Sequence, residues 1–339
     1  MRIGIIGLRG HVSDCMKGAA QWKDARVVAV SDYDKEAVAK FCKKQPLAEK
    51  AEQYQHWQHL VEHTEMDVCV VADENVLRAG QLIKLAGNGV HICAEKPLAT
   101  TLEDLAYVRK AVDDANVKLT MLLRMRYEAK YRTMRDLVKK GDVGTVGLVT
   151  CQKSYRLEER DEWETSRKRL GGTIPYIGVH ALDLMRWVPG LDFTHLAAFH
   201  ANVASPEFVE SEDTASVLVR YGNGATGTAR LDYLLPETYA THGDDRLRIA
   251  GGDGVIETQQ AWNYISLTTA KKKTYQIDPG PSENMFVDFL HSVVDGTPCR
   301  FPKEDAYAMT EIVLKARDAA DKKELITLGS AKSTAAKPT

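Results

Sequence analysis

The fold of this chain is decided near its amino terminus by the stretch RIGIIGLRGHV, which runs from Arg2 to Val12. Its first five residues form a short apolar run typical of a buried strand, and a helix is predicted to begin at Val12. A dinucleotide-binding loop places Gly-x-Gly-x-x-Gly between such a strand and helix, where the backbone approaches a pyrophosphate. Gly7 occupies the first position of that motif, Arg9 stands at the second, and Gly10 lies one place late. The stretch therefore indicates a nucleotide site with an altered loop.

Strand-like and helix-like stretches alternate over the first third of the chain. Continuous apolar strands that alternate with helices are typical of a parallel sheet covered on both faces. The predicted strands are Arg2–Ile6, Ala25–Ser31, Asp67–Ala72, Gly89–Cys93 and Lys118–Leu122, and the predicted helices are Val12–Trp22, Lys35–Lys44, Leu77–Ala86 and Leu102–Ala115. We therefore expect an α/β Rossmann domain over residues 1–123.

The pattern changes after Leu123 to long β-type runs separated by turn signals such as YGNG at 221–224, which indicate hairpins. The predicted strands are Val146–Tyr155, Leu196–Val203, Ala215–Tyr221, Thr226–Tyr233, Arg246–Ala250, Gly254–Glu257, Ala261–Thr268 and Thr274–Ile277, and the predicted helices are Tyr131–Lys140, Met285–Asp295 and Glu304–Ala320. We expect an α+β domain over residues 124–328 with a large, mostly antiparallel open sheet. The last stretch, 329–339, is predicted to be a disordered tail.

Length and composition exclude several classes of protein. The chain has 339 residues, which suits two domains, and its 44% hydrophobic and 27% charged residues are typical of a soluble globular protein. A net charge of −2 gives no basic surplus for nucleic acid, and no apolar run approaches the roughly 20 residues that span a bilayer. We therefore expect neither a nucleic-acid partner nor a membrane.

The cysteines and histidines give no sign of a metal or a disulfide framework. The six cysteines are scattered and form no Cys-x-x-Cys pair. The first predicted strand begins at Arg2, which leaves no room for a signal peptide, so we expect a cytoplasmic protein with reduced thiols. His56, His59 and His63 share one predicted helix face, yet no cysteine or acid lies in register with them, so no metal is predicted.

The second predicted strand ends at Asp32, which lies 32 − 7 = 25 residues after Gly7. In dinucleotide-binding domains an acidic residue near this place binds the 2′-hydroxyl of the ribose. A carboxylate there repels a 2′-phosphate, so the sequence favours NAD over NADP. The alternative is a Rossmann-like domain that has lost its nucleotide.

Four stretches resemble one known family. They are AEKPLA at Ala94–Ala99, RMRYEAKYRTMRDLVKKGDVG at Arg124–Gly144, GGTIPYIGVHALDLMRW at Gly171–Trp187 and HGDDRLRIAGGDGVIE at His242–Glu257. Together with the order of the elements they resemble the Gfo/Idh/MocA oxidoreductases, which include glucose–fructose oxidoreductase and inositol dehydrogenase. The resemblance covers nearly the whole chain and implies hydride transfer between a nicotinamide and a sugar or cyclitol.

In that family a base must take the hydroxyl proton as the hydride leaves the alcohol carbon. By resemblance, His180 is the proton-transferring histidine, and Lys96 polarises the hydroxyl or carbonyl, because a cation stabilises developing negative charge on oxygen. Tyr176 replaces a family aspartate four residues before His180, and positions i and i+4 share a helix face. Asp183 is kept and would orient the His180 ring or bind substrate. The predicted catalytic residues are Lys96, His180, Tyr176 and Asp183.

The resemblance also implies a set of cofactor contacts. Asn75 matches an asparagine that would contact the nicotinamide ribose. The predicted cofactor-binding residues are Gly7, Arg9, Gly10, Asp32, Asn75, Glu95, Lys96 and Arg126. The chain departs from the family pattern where Asp73 and Glu74 replace Thr-Pro and Arg78 replaces a histidine. Two carboxylates near a pyrophosphate are unfavourable unless Arg9 or Arg78 neutralises them.

The predicted substrate pocket includes residues of the second domain. Trp163 can stack on the apolar face of a sugar, with core packing as the alternative. His242 lies between two predicted strands and would reach the pocket, with a polar turn as the alternative. The predicted substrate contacts are Lys96, Tyr155, Trp163, Tyr176, His180 and His242.

The sequence thus predicts an NAD-dependent oxidoreductase that acts on a sugar, sugar derivative or cyclitol. One alternative is a glycoside-cleaving enzyme with bound NAD that oxidises its substrate transiently and eliminates the aglycone. Another is a non-catalytic protein that binds nucleotide or sugar. The second-domain sheet is expected to expose one face, which suggests a homodimer or homotetramer.

Overall fold

The computed structural model describes residues 1–205 and 210–329, so the predicted tail lies outside the described residues apart from Gly329. The chain divides into two compact units. The first unit comprises Met1–Arg124, Ser166–Gly171 and Glu283–Glu311, and the second comprises Met125–Thr165, Gly172–Ser282 and the chain from Ile312 onward. The predicted domain boundary at residue 123 lies next to the first division between the units. Two later segments, 166–171 and 283–311, also belong to the first unit.

The helices and strands are numbered in chain order. The helices are α1 (Val12–Ala19), α2 (Lys35–Lys44), α3 (Trp57–His63), α4 (Asn75–Gly87), α5 (Leu102–Asp114), α6 (Ala129–Lys140), α7 (Glu162–Thr165), α8 (Arg167–Leu170), α9 (Val179–Trp187), α10 (Met285–Val294) and α11 (Lys303–Lys322). The strands are β1 (Arg2–Ile6), β2 (Arg26–Ser31), β3 (Glu52–Tyr54), β4 (Val68–Val71), β5 (His91–Ala94), β6 (Leu119–Met121), β7 (Val146–Arg156), β8 (Phe193–Ala201), β9 (Thr214–Tyr221), β10 (Thr226–Leu235), β11 (Arg246–Gly251), β12 (Gly254–Gln259), β13 (Ile265–Thr269), β14 (Lys272–Ile277) and β15 (Ile326–Thr327).

The sheet of the first unit is parallel, and over the fully described residues 1–124 it has six strands in the order β3-β2-β1-β4-β5-β6. Ile3, Ile5 and Ile6 of β1 are completely buried, as expected for a strand covered on both faces. The end of β1 lies between the ends of β2 and β4, since Ile6 pairs with Ser31 on one side and Val71 on the other. This reversal of strand order makes the crevice in which α/β sheets bind their ligands.

The second unit contains the larger sheet. Across the described parts of the chain it has nine strands in the order β14-β13-β12-β11-β7-β10-β9-β8-β15, and only the β7–β10 pair is parallel. One face is buried, whereas Leu148, Phe199 and Leu218 on the other face are 39%, 70% and 53% exposed. The Rossmann sheet and the large, mostly antiparallel open sheet confirm the predicted fold class.

Some elements differ from their predicted bounds. The predicted strand at Ala261–Thr268 begins only at Ile265, because the chain turns where the Trp262 N–H donates to the Gln259 carbonyl. The strand Glu52–Tyr54 escaped prediction because it has no run of apolar residues. The stretch in which Tyr176 and His180 were placed on one helix face contains a π-helical turn over Ile174–Gly178, after which α9 is regular.

Three further observations concern the described residues as a set. None of their helices is both long enough and apolar enough to cross a lipid bilayer. No group of three or more histidine, cysteine, aspartate or glutamate side chains among them could hold a metal ion. None of the six cysteines, all of which lie in the described ranges, forms a disulfide, and five of the six are buried.

Candidate functional site

Gly7 begins the loop that follows β1, and its environment admits only glycine. Its φ angle is +78°, and a Cβ atom would lie 2.5 Å from the backbone of Ala72 and Asp73. The Gly7 N–H donates to the Ser31 carbonyl at 2.8 Å, and the Arg9 N–H donates to the Ala72 carbonyl at 3.2 Å. The loop is therefore held between the ends of β2 and β4.

Gly10 has the second essential glycine conformation of this loop. Its φ angle is +58°, and a Cβ atom would lie 2.2 Å from the Oε1 atom of Glu95. The next residue, His11, donates its backbone N–H to Glu95 Oε1 at 2.6 Å, and its ring Nδ1 lies 2.7 Å from the same oxygen. The displaced glycine thus lets the loop approach the end of β5, where Glu95 fixes it.

Glu95 is a buried carboxylate surrounded by positive charge. Burial alone would raise its pKa, but the charges of His11, Lys96 and Arg78, together with the His11 hydrogen bond, lower it to about 2. Glu95 is therefore ionised at any working pH. It also accepts the backbone N–H of Lys96 at 3.2 Å, so one carboxylate contacts both the loop and the residue predicted to polarise the substrate.

Asp32 and Asp73 are buried carboxylates that follow β2 and β4. Asp32 accepts the backbone N–H groups of Leu8 and Asp34, each at 3.0 Å. The Nη1 atom of Arg9 lies 3.3 Å from Asp32 and 3.6 Å from Asp73. One guanidinium thus lies beside Asp32 and Asp73, whereas Glu74, the other carboxylate that the sequence assigned to Arg9 or Arg78, pairs with Arg169 instead.

Asn75, at the start of α4, is buried and donates from Nδ2 to the Leu170 carbonyl at 2.7 Å. Beside it, Glu74 accepts two hydrogen bonds from Arg169 at 2.7 and 3.0 Å. These contacts attach the segment Ser166–Gly171 to the amino-terminal end of α4 within the first unit. The predicted ribose contact Asn75 therefore also anchors this segment.

Arg78 is almost fully buried and connects the ends of two strands. It donates to the carbonyl of Asp73, after β4, at 2.7 Å and to the carbonyl of Pro97, after β5, at 2.6 Å. Pro97 directly follows Lys96, which is itself only 8% exposed. Arg78 thus fixes the backbone next to the predicted catalytic lysine.

In the second unit, Arg126 and Asp183 form a buried, bidentate ion pair. Arg126 Nε donates to Asp183 Oδ2 at 2.9 Å, and its Nη2 donates to Oδ1 at 2.5 Å. Asp183 lies on α9 one turn after His180, which is also buried. The pair fixes the helix that carries His180, so the predicted cofactor residue Arg126 and the predicted catalytic residue Asp183 bind each other.

Tyr176 lies in the π-helical turn, where the winding differs from the regular helix assumed in relating it to His180. Its hydroxyl donates to Glu164 at 3.0 Å, and its ring meets Trp163 edge-on, with centroids 6.2 Å apart. Burial, with the nearby Tyr233 and Glu164, raises the pKa of Tyr176 well above its usual value. Tyr176 is therefore a neutral hydrogen-bond donor at neutral pH, and the buried Trp163 packs against it.

Tyr155 belongs to a second group of neighbouring rings in this unit. Its ring centroid is 5.2 Å from that of His242 and 6.3 Å from that of Tyr233. The Nδ1 atom of His242 lies 2.8 Å from Glu158 at the surface. The second unit therefore brings the predicted substrate residue Tyr155 together with His242, and Trp163 together with Tyr176.

Sequence reasoning missed Lys153, a buried cation of β7. It pairs with Asp245, and its Nζ lies 4.9 Å from the ring centroid of Tyr155. Burial lowers its pKa, but Tyr155 and Asp245 raise it above the usual lysine value, so Lys153 stays charged. A signal for it was present, because a lysine stands at an inward position of an alternating strand between Cys151 and Tyr155.

Both units match models of known families. The model described as an oxidoreductase family with an NAD-binding Rossmann fold matches residues 1–123. The model described as the GFO/IDH/MocA C-terminal domain matches residues 131–257.

Individual proteins resemble the chain over most of its length. The 1,5-anhydro-D-fructose reductase of Ensifer adhaerens is 25% identical over 87% of this chain and 88% of its own. The D-xylose 1-dehydrogenase (NADP(+)) 2 of Haloferax volcanii is 22% identical over 92% and 95%. A solved Thermotoga maritima protein described as an oxidoreductase superposes with a TM-score of 0.91 at 29% identity, covering 97% of this chain and 100% of that chain.

Proposed function

Because this chain belongs to the GFO/IDH/MocA family of oxidoreductases, we propose that it transfers hydride between a nicotinamide and a hydroxyl or ketone carbon of a sugar, sugar derivative or cyclitol. The observation that carries this proposal is Glu95, which fixes the loop at His11 and contacts the backbone of Lys96. One buried carboxylate thus couples the nucleotide loop to the proposed catalytic cation. The names of the sugar-acting relatives support the substrate class.

The loop residues fit a dinucleotide. Gly7 lets the loop backbone lie against Ala72 and Asp73 at the end of β4, and α1 begins directly after the loop, with an amino terminus that favours an anionic phosphate. Asp32 stands where a carboxylate would bind the ribose, so we propose NAD(H) as the preferred cofactor. The proposed holding residues are Gly7, Arg9, Gly10, Asp32, Asn75, Glu95, Lys96 and Arg126. Because one relative is named as NADP-dependent, substitution of Asp32 is needed to test this preference for NAD(H).

A bound nicotinamide supplies the acceptor or donor of the hydride. His180 takes the hydroxyl proton or returns it, because an imidazole changes its charge near neutral pH. Lys96 stabilises the negative charge that develops on the substrate oxygen. Asp183, held by Arg126, positions the helix that carries His180. Tyr176 is a neutral phenol that donates its proton to Glu164, so its oxygen would accept a hydrogen bond from a substrate hydroxyl. Tyr155, Trp163 and His242 are proposed to line the substrate pocket.

Binding and turnover test this function in sequence. Calorimetric titration with NAD⁺, NADH, NADP⁺ and NADPH should show binding, tighter for NAD(H). A screen of sugars and cyclitols, with the absorbance of reduced nicotinamide as the readout, should then find a substrate. Failure to bind any of the four cofactors would overturn the proposal. Cleavage of a glycoside without net change in reduced nicotinamide would replace it with the elimination reaction.

We further propose that the chain forms a homodimer or homotetramer through the open face of the second sheet. Leu148, Phe199 and Leu218 expose apolar surface there, and association would bury it. Light scattering should give a mass above that of one chain, and Phe199→Lys should lower it.

The absence of disulfides among the six cysteines fits a reducing compartment, so we propose a cytoplasmic location, which imaging of the tagged protein would test.

A further inference from the structure

Arg9 spans the binding crevice of the first unit. Asp32 and Asp73 follow strands on opposite sides of β1, and the Arg9 guanidinium lies 3.3 Å from one carboxylate and 3.6 Å from the other. Both carboxylates are nearly inaccessible, whereas the Arg9 side chain is 31% exposed. The cation therefore offers an accessible surface where the two anions do not.

The two partners of Arg9 are fixed independently of it. Asp32 is held by the N–H groups of Leu8 and Asp34, and Asp73 accepts the N–H of Glu74 and the side-chain amide of Gln81, each at 2.8 Å. The two carboxylates therefore keep partners of their own whichever way the partly exposed Arg9 side chain points.

The charge of Arg9 changes what Asp32 does to a second phosphate. A carboxylate alone repels a 2′-phosphate, but a cation at 3.3 Å offsets much of that repulsion. A guanidinium is also well suited to phosphate, because it donates several hydrogen bonds in one plane. Arg9, which replaces a glycine of the motif, therefore weakens the preference for NAD over NADP that is expected of Asp32.

We propose that Arg9 is a specificity-determining residue that limits this discrimination, so that the protein binds NADP(H) measurably as well as NAD(H). The proposal rests on the proposed function, since it requires a nicotinamide dinucleotide at this site. Its chemistry is recognition of the 2′-phosphate of the adenosine ribose by Arg9, beside an Asp32 that recognises the free hydroxyl.

The test is a direct titration of the full chain with NADH and NADPH, in which the fluorescence of the nucleotide reports binding. Arg9→Ala should weaken NADPH binding about tenfold more than NADH binding, the scale of one charged hydrogen bond. Arg9→Gln keeps hydrogen-bond donors but removes the charge, so its loss of NADPH affinity should lie between those of the unmodified protein and Arg9→Ala. Asp32→Asn should tighten NADPH binding and weaken NADH binding. Arg26→Ala is the matched control, because Arg26 is an exposed arginine at the opposite end of β2.

Each other outcome has a separate meaning. Equal weakening of both cofactors in Arg9→Ala would assign Arg9 to the shared pyrophosphate and overturn the proposal. NADH binding without detectable NADPH binding in the unmodified protein would overturn it as well. No binding of either cofactor would remove the proposed function and this inference with it. Unchanged melting temperatures in the Arg9 variants would show that they remain folded.

Discussion

His11 and Glu95, 84 positions apart in the chain, are joined by two hydrogen bonds to one carboxylate oxygen. This relationship fixes the nucleotide loop to the strand that precedes Lys96. Glu95→Gln should therefore weaken NADH binding and lower the free energy of unfolding by about 3 kcal/mol, because Lys96 and Arg78 lose a nearby buried anion and His11 loses a charged hydrogen-bond acceptor. Urea unfolding and NADH titration measure the two effects. Glu103→Gln, an exposed change on α5, is the control, and equal behaviour of the two variants would contradict the role of Glu95.

The pH dependence of stability should carry the signature of the same carboxylate. The folded-state pKa of Glu95 is about 2, against an ordinary value of 4.5. Because the folded value is the lower one, its contribution is present above the unfolded pKa and is lost as the pH falls from 4.5 toward 2. The stability difference between the unmodified protein and Glu95→Gln should hence shrink as the pH is lowered through this window. A difference that grows on acidification would contradict the assignment.

Gly10 should not tolerate a side chain. Its φ of +58° and the 2.2 Å approach of a Cβ atom to Glu95 mean that Gly10→Ala must displace the loop. We expect a loss of about 1–3 kcal/mol in the free energy of unfolding and weaker NADH binding. Gly80→Ala provides the contrast, since Gly80 lies within α4 with nothing within 4 Å of its Cβ position. That substitution should be neutral or slightly stabilising, as alanine is the better helix former.

The buried pair Arg126–Asp183 should act as a unit. Arg126→Met leaves the Asp183 carboxylate buried beside an apolar side chain, which should cost about 3–5 kcal/mol in the free energy of unfolding. Combining it with Asp183→Leu should cost less than the sum of the two single changes. A double-mutant cycle by urea unfolding measures this coupling, and strictly additive effects would show that the two residues act separately.

Lys96 and His180 should affect turnover more than cofactor affinity. Lys96→Met and His180→Asn should each lower kcat about a hundredfold to ten-thousandfold, because charge stabilisation or proton transfer is lost. NADH titration should change little for His180→Asn. Lys110→Met, a highly exposed lysine on α5, serves as the control for loss of charge. Full turnover in the His180 variant would assign the proton transfer to another group.

The sequence predicted the elements whose physics is local. The strands Arg2–Ile6 and Val68–Val71 are continuous apolar runs, and α6 ends where Gly141 takes a left-handed conformation. The short strand Glu52–Tyr54 was not predicted because it has no apolar pattern of its own. It is a strand because it pairs with β2.

The pairings within the candidate site were beyond sequence reasoning. Arg9 or Arg78 was expected to neutralise Asp73 and Glu74, but Arg9 lies beside Asp32 and Asp73, and Glu74 pairs with Arg169. The bond between His11 and Glu95 likewise depends on how two distant loops meet. The π-helical turn at Ile174–Gly178 was not predicted either, although Pro175 and Gly178 are poor formers of a regular helix. Lys153 was detectable in principle, because a charged side chain at an inward strand position requires a partner.

The first unit is assembled from segments that lie far apart in the chain, and this sets an order for its biosynthesis. Asn284 donates to the carbonyl of Asp14 at 3.0 Å, and Thr120 donates to the carbonyl of Phe301 at 2.8 Å. A polypeptide that has left the ribosome only as far as Arg124 lacks these partners. The nucleotide-binding half can therefore be completed only after translation has passed Phe301.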